Sequence, residues 1–302
     1  MSILSGKNIL LGITGGIAAY KSIFLLRLLV KSGANVQVIL TPSAKDFVTP
    51  LTLSTLSNRP ILSDFFDKNN QNKVWNNHVD LALWADLFVI APATSNTLSK
   101  MASARADNLL LATYLSSKCP VYFAPAMDLD MHKNMANKEN INRLISFGNK
   151  HIPVNSGFLA SGLEGEGRMS EPPEIVDFIK NDLRKDLKLL NKKILITAGP
   201  TYESIDAVRF IGNYSTGKMG FALAKVAAKL GADVTLISGP TSLSMNDDYV
   251  KVINVITADQ MFSEVKKHYE SSEITIMSAA VSDFKPRSSF DKKIKKENKN
   301  LL

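Results

Sequence analysis

The feature that most constrains the fold is a strand, glycine turn, helix and strand that follow one another at the start of the chain. Residues 8–13 are an apolar strand, and the Thr-Gly-Gly sequence at 14–16 predicts a tight turn. Residues 17–32 place apolar side chains at helical spacing, and residues 36–40 form the next apolar strand. Because the helix carries the chain back to the starting edge, this βαβ unit predicts a parallel sheet.

The same unit returns in the second half of the chain, with a long loop between its first strand and its helix. Its predicted parts are a strand (194–198), a turn (199–201), a loop (202–213), a second glycine turn (215–220), a helix (221–230) and a strand (234–237). Further strands are predicted over residues 252–256 and 274–278. Two such units indicate two α/β domains rather than one.

A helix that starts with two prolines marks the domain boundary. The sequence Glu-Pro-Pro-Glu at 171–174 places prolines in a first helical turn and carboxylates near its positive end. Residues 175–190 continue as a charged amphipathic helix. We therefore predict a first domain over residues 1–190, with 171–190 as its closing helix and linker, and a second over 191–302.

The composition excludes several classes of protein. The chain has 302 residues, of which 45% are hydrophobic and 21% charged, as in globular proteins. A lone cysteine, Cys119, excludes a disulfide framework and a cysteine metal cluster, and four histidines argue against a histidine-rich metal site. No apolar run reaches the roughly 18 residues that span a bilayer. We expect a cytoplasmic protein that does not contact the membrane.

The positive charge is concentrated at the C-terminal end. The net charge is +8, and residues 285–302 hold seven basic and two acidic residues, a net +5 that leaves +3 for the other 284 residues. The chain as a whole is therefore not expected to bind nucleic acid. The tail is either a solvated charged segment or a loop that binds phosphate groups.

A histidine precedes a buried strand in the segment 77–94. His78 lies ahead of a short amphipathic stretch (81–85), residues 87–90 form an apolar strand, and Ala-Pro-Ala-Thr at 91–94 is predicted to end it. Small residues at the carboxyl end of a strand leave room for a ligand, and a histidine exchanges protons near neutral pH. Taken alone, the segment is more simply a solvated histidine before an ordinary turn, but the rest of the chain favours a functional role.

The first glycine turn suits a single phosphate better than a dinucleotide. A nicotinamide site needs Gly-x-Gly-x-x-Gly and an acid at the end of the second strand. Here the turn reads Gly-Ile-Thr-Gly-Gly-Ile (12–17), and the second strand ends in Thr41, Pro42 and Ser43. Hydroxyls beside a helix N-terminus bind one phosphate, which favours FMN over NAD. The alternative is a turn that only lets helix and strand pack closely.

Between these landmarks the first domain has weaker patterns. Residues 97–115 are predicted to be one helix, 121–124 a strand and 152–154 a short strand. Residues 156–169 are rich in glycine and are predicted to form a flexible flap over a ligand rather than a simple connector.

The motifs of the first half resemble the family of homo-oligomeric flavin-containing cysteine decarboxylases. They are GGIAAYK (15–21), T-x-x-A-x-x-F (41–47), H-V-D-L-x-x-W-A-D (78–86), APAT (91–94), PAM (125–127) and GEGRM (165–169). The second half resembles phosphopantothenate–cysteine ligase in ITAGPTYESIDAVRFIGNYSTGKMG (196–220), SAAVSDF (278–284) and KIKK (293–296). In this order the halves resemble the bifunctional flavoproteins of coenzyme A biosynthesis. The resemblance covers nearly the whole chain and implies two Rossmann-like or flavodoxin-like α/β domains with mainly parallel sheets.

For the first half the resemblance implies decarboxylation of 4′-phosphopantothenoylcysteine to 4′-phosphopantetheine. His78 would be the base at the substrate thiol, and FMN would take two electrons from the carbon bonded to sulfur and later return them. The FMN-binding residues implied are Gly15, Gly16, Ala18, Thr41, Ser43, Ala91 and Thr94. Because the family's decarboxylase domains form trimers with FMN near the interface, a homo-oligomer is expected.

For the second half the resemblance implies ligation of 4′-phosphopantothenate with cysteine through an acyl-cytidylate made from CTP. Asn213 would guide the second step, in which cysteine displaces CMP. The implied CTP contacts are Met277, Ser278, Ala279, Asp283 and Lys293, the last near the triphosphate. Mg²⁺ is expected to accompany CTP, with ligands that the resemblance does not identify.

Two positions depart from the family pattern. Many members have Pro-Ala-Met-Asn, but this chain has Asp128, whose ionised carboxylate would repel a substrate carboxylate. The usual Ala-Cys-Gly loop, whose thiol donates a late proton, here has Ser161, and an alcohol gives up a proton far less readily than a thiol with a pKa of about 8.5. Another group delivers that proton, or the last reduction is impaired, or Ser161 is an inert loop residue.

Two other functions stay open. A decarboxylase of another cysteinyl substrate, such as a peptide with a C-terminal cysteine, fits the first half but not the ligase-like half. A flavin-binding regulatory subunit without catalytic activity is disfavoured by His78 and kept open by Asp128 and Ser161.

The second domain is expected to be incomplete. Residues 191–302 number only 112, and no apolar periodic segment follows residue 284. With no following element to hold them, the lysines between 292 and 296 are expected to be disordered without a ligand. Ligase activity is accordingly expected to be weak or absent, and decarboxylation independent of it.

Overall fold

The structure, a computed structural model, describes residues 2–66 and 75–294. The chain divides into two compact units, Ser2–Asp182 and Leu183–Leu302. Within the described ranges, no helix has both the length and the apolar character needed to cross a bilayer.

The first unit has a parallel sheet as its main layer. Its strands are β1 (Asn8–Ile13), β2 (Asn35–Leu40), β3 (Leu87–Ala93), β4 (Val121–Pro125), β5 (Lys150–His151), β6 (Val154–Phe158) and β7 (Glu164–Met169). Its helices are α1 (Ala19–Lys31), α2 (Pro50–Ser57), α3 (His78–Trp84), α4 (Ser95–Ala102), α5 (Leu109–Ser116), α6 (Leu129–Lys133), α7 (Met135–Ser146) and α8 (Pro172–Arg184), with a 3₁₀ helix at Pro42–Asp46. Among the described residues, the parallel sheet has the order β2-β1-β3-β4-β5, and β6 pairs antiparallel with β7. The predicted first βαβ unit is confirmed.

The centre of this sheet is buried. Every residue of β3 is buried, and β1 is buried from its second residue onward. Continuous apolar strands of this kind are typical of parallel sheets that are covered on both faces. Phe88 of β3 and Phe123 of β4 are fully buried in one core with Leu110 of α5. Each such side chain contributes roughly 1.5–3 kcal/mol by leaving water.

The strand β3 continues beyond the predicted end at residue 90. Its ladder with β4 shifts register between Ile90 and Ala93, and pairing resumes where Ala93 meets Pro125. The small residues of this segment fit into the buried sheet, so the strand ends only at Ala93, and Thr94 then precedes α4.

Two predictions for the segments around this strand need correction. The single helix predicted over residues 97–115 is divided into α4 and α5, because Ala104 has a positive φ of 55° and the Asn108 side chain caps a new helix by accepting from the Leu111 N–H at 3.0 Å. The prediction of a strand over residues 152–154 is also wrong. Strand β5 ends at His151, and β6 begins at Val154.

The glycine-rich segment 156–169 is an antiparallel hairpin rather than the predicted flexible flap. Strands β6 and β7 pair from Val154–Met169 to Phe158–Glu164, and the Leu159 N–H donates to the Leu163 carbonyl at 2.8 Å to close the turn. Gly167 has a φ of +132°, and a Cβ built there would lie 2.4 Å from the Met127 carbonyl oxygen. Glycine therefore lets the hairpin pack against the segment after β4.

The second unit repeats the α/β plan. Its elements are β8 (Lys193–Ala198), β9 (Tyr202–Ser204), β10 (Phe210–Gly212), α9 (Lys218–Lys229), β11 (Asp233–Ser238), β12 (Val250–Asn254), α10 (Ala258–Tyr269) and β13 (Ile274–Met277). Its described residues form a parallel sheet of order β12-β11-β8-β13. The predicted α/β class with mainly parallel sheets is thus confirmed for both units.

The loop predicted over residues 202–213 contains a second hairpin, β9–β10. Tyr202 stacks on Phe210 across the two strands, with ring centroids 4.0 Å apart. Asp206 closes the turn by accepting from the backbone N–H groups of Val208 and Arg209, each at 2.8 Å. The prediction of a loop was wrong. Strands of three residues are too short to show an alternating pattern of apolar and polar residues, so the sequence did not indicate this hairpin.

Replacement of Gly167 by alanine should destabilise the first unit more than the same change at Gly148. Both glycines have positive φ, but nothing lies within 4 Å of a Cβ at Gly148. Each substitution incurs backbone strain of about 1–2 kcal/mol, and Gly167→Ala adds about 1–3 kcal/mol of overpacking. Denaturant unfolding followed by fluorescence measures the difference. Equal losses for both variants would show that the hairpin does not depend on this close approach.

Candidate active site

The first candidate site lies where the carboxyl ends of β1 and β3 meet. These strands are neighbours in the sheet, with Gly12 opposite Ile90, so the segments that follow them open at the same edge. A cavity of about 540 Å³ is found there. Its lining is mostly small or polar: Gly15, Thr41, Pro42, Ser43, Thr94, Ser95, Asn96, Thr97, Lys100, Asp107, Asn108, Ala126, Met127 and Met131.

Threonine hydroxyls organise this cavity. Thr14 Oγ1 donates to the Pro92 carbonyl at 2.8 Å and accepts from the Thr94 N–H at 3.1 Å, which joins the turns that follow β1 and β3. Thr41 Oγ1 is buried, and no described residue is its hydrogen-bond partner. Because a buried hydroxyl without a partner is costly, Thr41 offers a donor to a ligand in this cavity.

The glycine turn packs closely on the same residues. A Cβ at Gly15 would lie 2.7 Å from Ser43 Oγ, and one at Gly16 would lie 3.2 Å from Thr94 Cγ2. The absence of side chains therefore leaves the backbone of the turn open beside both hydroxyl-bearing segments. Five of the predicted FMN-binding residues thus come together: Gly15, Gly16, Thr41, Ser43 and Thr94.

The N-terminus of α4 adds residues that the sequence analysis did not name. Thr94 is the residue before this helix, and its side chain makes no capping bond. Ser95, Asn96 and Thr97 of the first helical turn line the cavity. Their backbone N–H groups are free of intrahelical partners and favour an anion. The run of hydroxyl and amide residues directly after β3 is the sequence pattern that predicts such a helix start.

Two predicted FMN-binding residues lie elsewhere. Ala91 is buried within β3, where its carbonyl accepts from Ser22 Oγ at 2.7 Å, so it supports the cavity without lining it. Ala18 lines a second cavity of about 510 Å³ on the other side of the segment 126–127. The two cavities share the residues Ala126 and Met127.

The second cavity brings together the two residues that depart from the family pattern. Asp128, at the start of α6, and Ser161, in the turn of the β6–β7 hairpin, both line it. Ser161 Oγ donates to Asp128 Oδ1 at 2.9 Å, and the Leu129 N–H donates to the same oxygen at 2.7 Å. The resemblance alone gave no reason to expect this contact between residues far apart in sequence.

A buried lysine fixes one wall of this cavity. Lys21 of α1 is 4% exposed, and its Nζ donates to the Met169 carbonyl at 2.9 Å and to Glu171 Oε1 at 2.8 Å. Arg168, which also lines the cavity, donates from Nη2 to the same carboxylate oxygen at 2.8 Å. The hydrogen bond from Lys21, with smaller contributions from Arg168, lowers the pKa of Glu171 below its usual value.

His78 is not part of either cavity of its own chain. It is the first residue of α3, where its ring meets Phe65 and Trp75 edge-on with centroids 6.1 and 6.3 Å away. His78 Nδ1 is buried, and no hydrogen-bond partner for it lies among residues 2–66 and 75–294. His78 is predicted to lie beside the flavin and substrate, and it lines neither of the two cavities of its chain. Its role as the base stays a prediction.

The predicted residues of the second unit cluster at the ends of β8 and β13. Thr197 Oγ1 accepts from the backbone N–H groups of Ser278 and Ala279 at 3.1 and 3.2 Å. Asn213 Nδ2 donates to the carbonyls of Ala280 and Val281 at 2.9 and 3.1 Å. Asn213, Ser278 and Ala279 are therefore held at one edge of the sheet. Met277 and Asp283 are exposed in the same segment.

The start of the lysine-rich tail is hydrogen-bonded to the rest of the second unit, which was not predicted. The Phe290 N–H donates to the Ile205 carbonyl, and the Ile294 N–H donates to Asp206 Oδ2, both at 3.1 Å. Arg209 holds the pKa of Asp206 well below its usual value, so this acceptor stays charged. The expectation that no element holds this segment is corrected as far as Ile294. Lys293 is exposed there, and Lys295 and Lys296 lie outside the described residues.

Metal and thiol chemistry have little support in the described parts of the chain. No group of three or more His, Cys, Asp or Glu side chains there is arranged to hold a metal ion. Burial raises the pKa of Cys119 to about 11, which keeps its thiol protonated at neutral pH.

Known proteins resemble both halves of the chain. Residues 2–184 match the Flavoprotein family, and residues 189–302 match the DNA/pantothenate metabolism flavoprotein C-terminal domain. The coenzyme A biosynthesis bifunctional protein CoaBC of Vibrio cholerae is 46% identical over 99% of this chain and 74% of that protein. The corresponding protein of Bacillus subtilis is 44% identical over 98% of this chain and 73% of that protein.

A third relative has a different name. It is a cysteine/cysteine sulfinic acid decarboxylase from an unknown prokaryotic organism, 51% identical over 84% of this chain and 72% of that protein.

Among solved structures, a PPC decarboxylase mutant complexed with pantothenoylaminoethenethiol has a TM-score of 0.53 and 30% identity, over 59% of this chain and 98% of that one. The FMN binding protein AtHal3 has a TM-score of 0.51 and 29% identity, over 60% and 98%.

Replacement of Lys21 by methionine should weaken the first unit in a pH-dependent way. We expect a loss of about 1–2 kcal/mol at pH 7, because Glu171 is 39% exposed and water replaces part of the lost hydrogen bond. The native pKa of Glu171 is lowered, so its stabilisation is present above about pH 4.5 and is lost as the pH falls further.

Unfolding free energies of the wild type and the Lys21→Met variant between pH 3 and 8 test this prediction. The control is Lys45→Met, which removes the exposed Lys45–Asp64 pair and should cost less than about 0.5 kcal/mol. A Lys21→Met loss that stays constant down to pH 3 would mean that the ion pair is not its cause.

Proposed function

Because the chain belongs to the flavoprotein family of coenzyme A biosynthesis bifunctional proteins, we propose that its first unit is an FMN-dependent decarboxylase. Its substrate is 4′-phosphopantothenoylcysteine, and its product is 4′-phosphopantetheine. The observation that carries the proposal is the 540 Å³ cavity at the uncapped N-terminus of α4. The buried hydroxyl of Thr41 lies there without a hydrogen-bond partner among the residues that the structure describes.

The residues of the first cavity fit a flavin mononucleotide. The N–H groups at the start of α4 and the hydroxyls of Thr41 and Ser43 bind its phosphate, because they supply hydrogen-bond donors. The carboxylate of Asp107, which also lines the cavity, is paired with Lys100 at 2.6 Å. The glycine turn at 15–16 leaves space for the rest of the cofactor. The bound flavin supplies a reversible two-electron oxidation of the substrate.

The second cavity holds the cysteinyl end of the substrate. It shares Ala126 and Met127 with the first cavity, so a substrate there lies next to the flavin. Arg168 provides a positive charge that Glu171 and Lys21 hold in place. The proximity of reactant and cofactor is the main contribution of this arrangement.

Ser161 is a poor late proton donor in this site. Its hydroxyl already donates to Asp128, and an alcohol is far less acidic than the thiol that the family loop usually carries. A PPC decarboxylase mutant was solved with pantothenoylaminoethenethiol. We therefore infer that an enethiol of this class accumulates in this protein unless another group delivers the proton.

His78 acts as the base in a homo-oligomer. In its own chain it lines neither cavity, yet its buried Nδ1 has no partner within the described residues. Ile17, Tyr20 and Phe24, at the start of α1 and beside the second cavity, are 62%, 49% and 59% exposed. An apolar surface at this place suits subunit contact. We infer a trimer in which His78 of one copy completes the site of another.

A decarboxylase of another cysteinyl substrate is the second candidate. The relative named cysteine/cysteine sulfinic acid decarboxylase shares 51% identity with this chain. The carboxylate of Asp128 in the substrate cavity also differs from the neutral amide that the family usually has there. Both observations favour a substrate smaller and differently charged than 4′-phosphopantothenoylcysteine.

The second unit is proposed to bind CTP with Mg²⁺ and to ligate 4′-phosphopantothenate with cysteine. The proposal is supported by the match of residues 189–302 and by the cluster of Asn213, Ser278 and Ala279 at one sheet edge. Lys293 precedes Ile294, whose N–H donates to Asp206. The ammonium group of Lys293 is exposed, so it is accessible to the triphosphate of CTP. Asp283 and Met277 complete the proposed nucleotide contacts.

The flavin site is tested by Thr41→Val and the base by His78→Asn. The wild type should bind FMN and release carbon dioxide from 4′-phosphopantothenoylcysteine. Thr41→Val should weaken FMN binding about 10- to 100-fold through the lost bond to a charged phosphate. His78→Asn should keep FMN but lose carbon dioxide release by at least about 100-fold. Thr55→Val, on the exposed face of α2, is the control. A wild type that cannot be reconstituted with FMN would refute the proposal.

CTP binding tests the second unit. Lys293→Ala should raise the dissociation constant of Mg-CTP about 10-fold, the loss expected for one charged contact. Calorimetry on the full chain measures it, with the exposed Lys266→Ala of α10 as the control. The same samples, given 4′-phosphopantothenate and cysteine, report whether CMP release is as weak as the sequence analysis predicts. Unchanged CTP binding in Lys293→Ala would remove this residue from the proposed site.

A further inference from the structure

Asp128 presents an unneutralised negative charge to the second cavity. Its Oδ1 accepts from Ser161 Oγ and from the Leu129 N–H. No ion pair joins Asp128 to any residue that the structure describes, and its Oδ2 accepts no hydrogen bond from these residues. Asp128 is only partly exposed. One carboxylate oxygen is therefore available to a cation inside the cavity.

The residues before and after Asp128 both pack against the β6–β7 hairpin, which fixes the position of the carboxylate. The Met127 N–H donates to the Gly167 carbonyl at 3.1 Å, which ties the preceding residue to strand β7. A Cβ at Gly165 would lie 2.6 Å from Leu129 Cδ1, so the hairpin also packs closely on the following residue. Because the neighbours of Asp128 and its partner Ser161 belong to this packed unit, the charge is preorganised.

Three charged side chains line the same cavity. Lys21 and Arg168 contribute cationic groups that are both bonded to Glu171, and Asp128 contributes the carboxylate. A cysteine whose nitrogen is in an amide offers Asp128 only a neutral N–H, whereas a free amino acid offers an ammonium group. The charge-assisted bond to an ammonium is roughly twice as strong as a neutral one. A substrate carboxylate placed at Asp128 would be repelled.

We propose that Asp128, oriented by Ser161, is a specificity-determining residue that favours cysteine-type substrates with a free α-ammonium group over cysteine held in an amide. The inference rests on the second candidate of the proposed function, a decarboxylase of another cysteinyl substrate, and names the class of that substrate. With L-cysteine the Cα–carboxylate bond breaks, carbon dioxide leaves, and Cα takes a proton to give cysteamine. A bound flavin would supply a reversible two-electron oxidation, so the reaction has no net oxidation.

The substitution Asp128→Asn isolates the charge. An asparagine keeps the size of the side chain and an Oδ1 that accepts from Ser161 and Leu129, and it removes only the negative charge. The matched control is Asp130→Asn, which removes an exposed charge two residues further along α6 and outside the cavity lining. Both variants are compared with the wild type as FMN-loaded full chains.

The first measurement is competition between equimolar L-cysteine and 4′-phosphopantothenoylcysteine, with cysteamine and 4′-phosphopantetheine counted by mass spectrometry. Asp128→Asn should lower kcat/KM for L-cysteine about 10- to 100-fold and leave that for the amide substrate equal or higher. Asp130→Asn should change neither by more than about twofold. A parallel fall for both substrates in Asp128→Asn would overturn the inference and make Asp128 a structural residue.

The second measurement is binding without turnover. Cysteamine and N-acetylcysteamine share the thiol but differ in the charge at nitrogen, so calorimetry on each reports the role of the ammonium. Asp128→Asn should weaken cysteamine binding about 10-fold or more and leave N-acetylcysteamine unchanged. If the wild type binds FMN and releases carbon dioxide from neither substrate, the decarboxylase proposal fails, while the cysteamine result still decides the role of Asp128. Equal affinities for the two thiols in the wild type would overturn it.

Discussion

The parallel pairing of β1 with β3 is the constraint on which the first unit depends. Both strands are buried, so their backbone groups must bond to each other, and parallel pairing places both carboxyl ends at one edge. Gly15 of the glycine turn and Thr94 consequently face the same cavity. The hydroxyl of Thr14 then joins the two turns directly. The order of the strands therefore sets the position of the proposed cofactor site, and individual side chains then determine its chemistry.

The segment 126–128 lies between the two cavities that we propose to hold the flavin and the substrate. Ala126 and Met127 line both cavities, and Asp128 lines only the second. The hairpin β6–β7 forms the outer wall, and Lys21 ties that wall to α1 through Met169 and Glu171. A buried lysine is tolerable here because its ammonium group donates hydrogen bonds to two acceptors, one of them a carboxylate. The result is a second cavity in which hydrogen bonds orient Lys21, Arg168 and Asp128.

The differences from the family at positions 128 and 161 form one local unit. Ser161 donates to Asp128, so the side chain that replaces a thiol orients the side chain that replaces an amide. A thiol would be a weaker donor to this carboxylate than a hydroxyl is. Relative to the family pattern, this pair lacks the thiol that donates a late proton and has an oriented negative charge at position 128 instead. We propose that this exchange shifts the substrate preference toward cysteine-type substrates with a free ammonium group.

What the sequence determined by itself is local. The apolar run of β1, the glycine turn and the helical spacing of α1 predict a βαβ unit because these patterns repeat within a few residues. The same holds for β8, α9 and β11. The class of the fold and the hydroxyl-lined phosphate site follow from them. The family resemblance added the functional roles, among them that of His78, which local patterns do not contain.

What the tertiary structure decided depends on contacts between residues far apart in the chain. The glycine-rich segment is a hairpin because Gly167 can approach Met127. Asp128 is oriented because a serine in that hairpin reaches it. His78 stands apart from both cavities of its chain because α3 packs it against Phe65 and Trp75. None of these contacts leaves a periodic trace in the sequence, since each is set by how the elements pack rather than by their own propensities.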